Sequence, residues 1–467
     1  MKRHLLLIPI LTVALLVRVY RLNTPLADWH SWRQADTAAV TRRYVQEGVD
    51  LLHPKYDDLS SIPSGKENPQ GYRMVEFPFV NATTAWLYQF IPNSLEIHIF
   101  SRLVSIFFSL GSLVFLYLLI QRLSNYLEAI LAAVTFALLP YNIFFSRVVL
   151  PEVPLVFFIL GMMYFFVRGN IWLYGIFATL GFLLKPTTIF FLLPLAYWHI
   201  KQHSFTPRPL LKTILVTLGA LVPFLLWRQW IQQFPEGIPA FTWLLNGNGI
   251  RFKGAWFRWL FADRYGRLIL GYFGLIPFAL GLLPKPKEKE GWFYHVWLLG
   301  TIAYLAVFAT GNVQHDYYQI ITIPIICVFI AKGVIFLLRP PIQLSRALSI
   351  MLLVISSAFA LAFGWFHIRD YFNINHPEII EAGEAANHIL PPEAKVIAPY
   401  QGDTAFLYQT NRRGWPIGGN IKDKIKQGAT DYITTTLDDE ANELISRCVP
   451  SVQTATYTII SLRNCAP

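Results

Sequence analysis

Long apolar runs separated by short polar connections dominate the chain. The runs predict helices at about Leu5–Tyr20, Ile97–Ile120, Leu127–Phe145, Val153–Val167, Trp172–Leu184, Ile189–Ile200, Ile214–Trp230, Leu268–Leu283, Phe293–Ala309, Ile320–Leu338 and Ala347–Phe366. Many approach the ~20 residues that cross a bilayer core. The pattern predicts a mainly α, polytopic membrane protein of about 11 transmembrane helices. The first run follows Met-Lys-Arg-His, is flanked by arginines and lacks a small-residue cleavage site, so it reads as a retained span.

Two stretches break this pattern. The connection from Arg21 to about Glu96 is a long first external loop. From about Arg369 the composition becomes mixed, with short strands at Lys395–Pro399 and Asp431–Thr436 and a last strand over about Val452–Leu462. Helical stretches at Glu378–Ile389, Ile421–Gln427 and Asp438–Arg447 alternate with them. Strands alternating with helices predict a small C-terminal external α/β domain. The expected division is thus a membrane domain over 1–368, containing the loop 21–96 with its juxtamembrane helices, and an external domain over 369–467.

Composition agrees with lipid as the solvent. The 467 residues are 54% hydrophobic and 14% charged, where soluble domains carry about a quarter charged residues, and the mean hydropathy is +0.42. The formal net charge of +11 would suit nucleic acid, but no reader motif accompanies it. Placing Lys2 and Arg3 in the cytoplasm also puts Arg122, Arg168, Lys201, Arg208, Lys212, Lys285, Lys287, Lys289, Arg339 and Arg346 there. That is the positive-inside distribution. It leaves the N-terminus cytoplasmic and the C-terminal domain external. The segment Phe241–Phe261 mixes three tryptophans with Arg251, Lys253 and Arg258, which fits an interfacial amphipathic helix. Of three cysteines, Cys327 lies within a span. Cys448 and Cys465 bracket the last strand, a spacing that suits a disulfide in an oxidising compartment.

Candidate chemistry collects on the external side. The first loop opens Asp28-Trp-His30-Ser-Trp32-Arg33-Gln34-Ala-Asp36. Asp28 and His30 suit either a divalent cation (Mg, Mn or Zn) or a general base with an orienting partner. The same residues also suit an interfacial belt of tryptophans with charges facing water. Glu76 stands alone in Glu-Phe-Pro-Phe, and an isolated glutamate is costly to bury unless paired. Arg147 and Glu152 lie at the ends of two spans, where charges snorkel or face a polar cavity. Lys185-Pro186-Thr187 interrupts an apolar run on the outer side, where a lysine holds either a phosphate or lipid headgroups. His315-Asp316-Tyr317-Tyr318 adds an imidazole, a carboxylate and two phenols. Together these groups suit sugar transfer: a carboxylate deprotonates an acceptor while cations stabilise a departing phosphate.

In order and sidedness the motifs resemble the polyprenyl-phosphate-sugar-dependent glycosyltransferases of the GT-C fold, related to protein O-mannosyltransferases and lipid A aminoarabinose transferases. The matching elements are the first loop ending in Glu76-Phe-Pro, Arg147…Glu152-x-Pro, Leu184-Lys185-Pro186-Thr187 and His315-x-Tyr317-Tyr318…Pro324, spread over the first three quarters of the chain. The resemblance implies inverting transfer from a polyprenyl-phosphate sugar, undecaprenyl- or dolichyl-type, to a glycan, lipid or protein acceptor at an external site. It implies a base or metal-linked acid in the first loop, a second acid near Glu152, and a lipid-phosphate clamp that includes Lys185 and His315. Arg33, Arg147, Tyr317 and Tyr318 join that clamp as candidates. Relatives carry an Asp-Glu pair where this chain has Arg33-Gln34, so the base falls to Asp28, followed by Glu76 and Asp36. No organic cofactor is expected, and the family places the chain in a bacterial inner membrane. The alternative, a transporter or flippase, predicts ionisable residues near the midplane and internal pseudo-symmetry, whereas here they cluster at one interface. A non-catalytic assembly subunit would not explain the acids and bases in the short loops.

Overall fold

The computed structural model describes residues 5–91, 95–341, 344–463 and 465; Lys2 and Arg3 lie outside them. The chain folds into two compact units. One comprises the chain up to Leu22, Leu103–Trp227 and Phe241–Tyr371. The other comprises Asn23–Arg102, Arg228–Ala240 and the chain from Phe372 onward. The first loop thus belongs to the same unit as the tail.

The first unit is helical, and each of the apolar runs holds a helix. Four helical stretches, Ile97–Leu123, Pro207–Gln233, Tyr318–Leu338 and Arg346–Phe372, are long and apolar enough to cross a membrane by themselves. Leu7–Arg18, Tyr126–Leu138, Ile171–Leu184 and Phe293–Val307 are shorter apolar helices. Tyr318–Leu338 is buried over 78% of its apolar window, against 11% for Pro207–Gln233 and 17% for Arg346–Phe372. The first is therefore a central strut, while the other two turn apolar sides outward, as lipid-facing helices do.

Proline sets several boundaries. The predicted run over 127–145 is two helices, Tyr126–Leu138 and Pro140–Phe145, because Pro140 has no amide hydrogen to continue the first. The carbonyls freed at that break are met by a buried arginine. Arg18 donates to the Ala137 and Phe136 carbonyls at 3.0 and 3.2 Å, the satisfaction a helix C-terminus requires inside a membrane.

Phe241–Phe261 is not one amphipathic helix. It is a chain of short turns, Trp243–Asn246, Gly247–Phe252 and Gly254–Phe257, leading into a π-helical stretch over Arg258–Ile269. Asn248 and Gly249 take left-handed backbone angles (φ 57° and 63°), which a continuing right-handed helix cannot contain. Phe252, Phe257 and Trp259 are exposed, while Trp256 is buried. The run predicted over 268–283 is helical only from Leu275 to Leu282, because Gly271 and Tyr272 both adopt positive φ.

The second unit carries a five-stranded sheet: β1 (Lys395–Ile397), β2 (Arg413–Trp415), β3 (Ala429–Thr434), β4 (Pro450–Gln453) and β5 (Thr458–Ser461). The strand order is β2-β1-β3-β5-β4. β1 runs parallel to β2 and β3, while β3, β5 and β4 are antiparallel. Sequence patterning locates β1 and β3, merges β4 and β5 into one strand, and misses β2 and the helix Thr404–Gln409. Alternation splits the core between two faces. Val396, Ile433 and Ile459 pack with Phe406 and Ile379 on one; Ile397, Tyr432 and Ile460 pack with Trp415 and Leu59 on the other. Leu59 comes from the first loop, which also pairs with β2: Leu59 and Gly414 exchange backbone bonds through the Gly414 and Asp57 carbonyls at 2.8 and 2.9 Å. Cys448 and Cys465 form a disulfide, their Cα atoms 4.2 Å apart.

Candidate active site

The candidate residues form two groups, one in each unit. In the helical unit the anchor is Glu152, the first residue of the helix Glu152–Arg168. Pro151 precedes it and Pro154 sits in the first turn, where a missing amide hydrogen costs nothing. A carboxylate there also meets the positive end of the helix dipole. Glu152 is 1% exposed and pairs through Oε1 with Lys185 Nζ. Its Oε2 is buried with no hydrogen-bond partner among the described residues. Lys185 ends the helix Ile171–Leu184, extended at φ −153° and ψ 138° because the residue before proline avoids helical angles. Thr188 secures this turn, its amide and hydroxyl both donating to the Lys185 carbonyl.

The ammonium of Lys185 lies 5.2 Å from the centre of the Tyr318 ring, within cation–π range. Tyr318 stacks on Tyr317 at 4.7 Å, and Tyr317 on His315 at 5.3 Å. Trp243 meets the other edge of His315 at 5.7 Å. Glu152, Lys185, His315, Tyr317 and Tyr318 are therefore brought together, as a buried ion pair beside an aromatic stack. Arg147 is fully buried, donates to the Arg21 carbonyl at 2.9 Å and covers the Phe144 ring. Asp316, the carboxylate that the sequence offers beside His315, accepts from the Tyr371 hydroxyl at 2.6 Å through its side chain and from the Tyr141 hydroxyl through its carbonyl.

In the second unit the helix Ser31–Glu47 displays the first-loop residues. Each acid there sits on an arginine. Asp28 and Arg102 pair at 3.0 Å with both side chains at 0% exposure, and Gln34 donates to the second Asp28 oxygen at 2.7 Å. Asp36 pairs with Arg73 at 2.8 Å and accepts from the Thr404 hydroxyl at 2.7 Å. Glu76 takes Arg33 at 2.5 Å. Arg33, Asp36, Arg73 and Glu76 together line a small cleft floored by Val40 and Asn81. His30 precedes the helix with φ 56°, a left-handed angle rare outside glycine and typical of functional positions.

Two further carboxylates here escape sequence reasoning. Burial raises Asp58 to about 7, with Asp36 adding to the effect against the Ser60 amide and Arg73. Burial likewise raises Asp403 to about 6; its bond from the Ala405 amide and the nearby His30 and His376 oppose this, while Asp36 adds to it. Neither stands in a recognisable motif, and their perturbation comes from packing between the first loop and the tail.

A catalytic zinc ion does not fit the Asp28–His30 pair. Asp28 gives its oxygens to Arg102 and Gln34, and among the described residues no three His, Cys, Asp or Glu side chains converge, the minimum a catalytic zinc site supplies.

Residues 78–227 match the sequence family described as dolichyl-phosphate-mannose-protein mannosyltransferase. No curated protein sequence matches the chain. Among solved structures the chain is similar to ArnT from Cupriavidus metallidurans bound to undecaprenyl phosphate, at 12% identity and a TM-score of 0.64 over 99% of both chains. It is also similar to the oligosaccharyltransferase of Archaeoglobus fulgidus tethered with an acceptor peptide. There the identity is 11% and the TM-score 0.56, over 91% of this chain and 68% of that one. The same archaeal enzyme in complex with zinc and sulfate matches at 12% and 0.54. The chain has the GT-C fold that these solved structures share. The chain is an integral, multi-pass membrane protein.

Proposed function

We propose that this chain is an inverting glycosyltransferase. It moves a sugar from a polyprenyl-phosphate donor to an acceptor hydroxyl or phosphate on the non-cytoplasmic face of a bacterial inner membrane. The observation that carries the reading is the Glu152–Lys185 pair: a buried carboxylate with one oxygen on a lysine and the other without a hydrogen-bond partner among the described residues. A buried polar atom left unmet costs about 1–3 kcal/mol. It persists where a polar ligand meets it.

In the transfer, the acceptor oxygen attacks the anomeric carbon and a new C–O bond forms. The bond from that carbon to the phosphate oxygen breaks, with inversion. The acceptor proton goes to a carboxylate, and the lipid phosphate leaves with the bonding pair. Lys185 supplies positive charge to the departing phosphate, as a point charge that phosphate sites commonly use. Tyr317, Tyr318 and His315 offer donors beside it, and Arg33 and Arg147 are the further cationic candidates. Glu152 keeps the Lys185 ammonium in place when no phosphate is bound. In the second unit Asp28, held by Arg102 and Gln34, is the first candidate base, with Glu76 and Asp36 behind it. The disulfide of the tail suits an oxidising, external compartment.

The test is transfer in proteoliposomes, using labelled polyprenyl-phosphate hexoses and pentoses with an envelope extract as acceptor. Wild-type protein moves label; Asp28→Asn and Lys185→Ala, folded and inserted, lose about 10²–10⁴-fold in rate. Folded wild type that consumes no donor across the panel ends the glycosyltransferase reading. Full activity in Asp28→Asn ends that residue's assignment alone.

A further inference from the structure

A second polar cavity lies at the opposite end of the helix Glu152–Arg168. Sixteen residues at 1.5 Å each put Arg168 about 24 Å along the axis from Glu152, so this cavity is separate from the Glu152–Lys185 group. Its volume is about 360 Å³, within the range of small-ligand sites. Helix ends build it: Arg122 from Ile97–Leu123, Arg168, His199 and His203 from Leu192–His203, and Lys212 with Thr213 from Pro207–Trp230. Among the described residues, no carboxylate lines it. Glu288 lines a neighbouring groove that shares Arg122, Trp198 and Gln202 with it.

The basic rim alone would be a solvated helix-end cluster. His199 makes it a site. This imidazole is 4% exposed, lines the cavity, and has Nδ1 3.2 Å from the Thr213 hydroxyl. Its Nε2 is buried with no hydrogen-bond partner among the described residues. If the Thr213 hydroxyl donates to Nδ1, the remaining nitrogen is an N–H donor that needs an acceptor. Arg122 is steadied by its Nε, 3.5 Å from the Val167 carbonyl.

We propose that this cavity binds a phosphate-bearing anion, with His199 donating from below and Arg122, Arg168 and Lys212 supplying charge around the rim. Three rim cations and one buried donor, without a carboxylate among the described lining residues, match a phosphate's charge and acceptor oxygens. Apolar Phe166 and Ile171 line the same cavity, and Trp172 next to Ile171 is 76% exposed. These neighbours suit an anionic phospholipid, whose headgroup would enter while its chains stay in the bilayer. A soluble phosphate ester shares the recognised group.

The experiment uses full-length protein in nanodiscs and native mass spectrometry, with dioleoyl phosphatidylglycerol and dioleoyl phosphatidylcholine at equal fractions. Wild type is expected to retain phosphatidylglycerol about tenfold over phosphatidylcholine. Arg122→Ala with Lys212→Ala, and separately His199→Phe, are expected to remove that preference. In a second arm, glycerol 3-phosphate and inorganic phosphate are titrated in pure phosphatidylcholine discs while thermal unfolding is followed. A saturable rise in Tm confined to wild type assigns the same site to a soluble ester. If wild type shows neither lipid preference nor a Tm response, the proposal is overturned. It is equally overturned if the folded variants behave as wild type in both arms. Arg122→Ala alone, at an exposed position, serves where the double variant fails to fold. Sugar transfer is not the readout, so failure here leaves the glycosyltransferase reading untouched.

Discussion

Single residues in the second unit carry opposed electrostatic demands. Asp28 and Arg102 are both shut away from solvent, so each depends on the other. Removing one member of a buried pair strands a desolvated charge and costs about 3–5 kcal/mol. Arg102→Met is expected to destabilise by that order. Asp28→Asn in the same chain is expected to recover much of the loss, giving a coupling of at least about 1 kcal/mol in denaturant titrations. Additive effects would show that the pair is not what holds the loop. Asp58 makes the opposite demand. Its folded carboxyl titrates near 7, against about 3.9 in an unfolded chain. Between those values the folded state holds a proton that the unfolded state has lost, so this group's contribution to stability is fullest below about pH 4 and falls as pH rises to about 7. Asp58→Asn keeps the acceptor for the Ser60 amide and removes the ionisation. Its Tm is expected to exceed wild type at pH 8, with the gap closing towards pH 5; a gap independent of pH would refute the assignment. The acids of the site were legible in the sequence because a carboxylate beside apolar residues is conspicuous. Their partners were not: Arg73 and Arg102 lie 37 and 74 positions from Asp36 and Asp28, and no periodicity links residues so far apart.

At the scale of elements, apolar runs translate into helices wherever proline and glycine permit. Pro140 and Gly271 divide or shorten predicted spans. The turns over Trp243–Phe257 depend on left-handed Asn248 and Gly249, which composition alone does not reveal. Glycine acts in another way where Leu275–Leu282 crosses Ile323–Leu338. A Cβ on Gly333 would stand 1.7 Å from the Pro277 carbonyl oxygen, and one on Gly281 would stand 1.8 Å from that of Phe329. Both obstacles are backbone, so no rotamer change relieves them. Reciprocal glycines let two helices approach closely, the small-residue packing that membrane helices use without a hydrophobic drive. Gly333→Leu should force the pair apart and uncover the most buried of the four long apolar helices. The expected result is loss of a monodisperse peak on size exclusion in detergent, with a lower thermal midpoint. A variant as stable as wild type would mean that the crossing is looser than the structure shows.

For the whole molecule, the decisive feature is that the second unit is assembled from segments far apart in the chain. The first loop contributes Leu59 to the core beneath Trp415 and pairs its backbone with Gly414. Arg42 lies over the Tyr408 ring at 3.9 Å and donates to the Tyr408 carbonyl. Thr404 holds Asp36. The Met74 amide donates to the Gly237 carbonyl and the Ala240 amide to the Pro63 carbonyl, which brings in the short segment 228–240. Such a unit forms only when all its strands of chain are present, so the tail is part of the scaffold for the first-loop acids. Patterning shows the tail as a small α/β fold because its alternation is local. It does not show the loop joining that fold, because one bridge, at Asp58 and Gly414, leaves no trace in composition. A chain ending at Tyr371 should therefore insert in the membrane yet expose the loop. Limited proteolysis of membranes is expected to cleave between Asp50 and Tyr72 in the truncated protein and to spare that stretch in the full chain. Gly414→Val provides the same test without deletion, because a Cβ there would meet the Val396 carbonyl oxygen at 1.7 Å and part β2 from β1. If the loop resists protease equally in all three proteins, it folds without the tail. The acids at Asp28, Asp36 and Glu76 would then owe their placement to the loop alone.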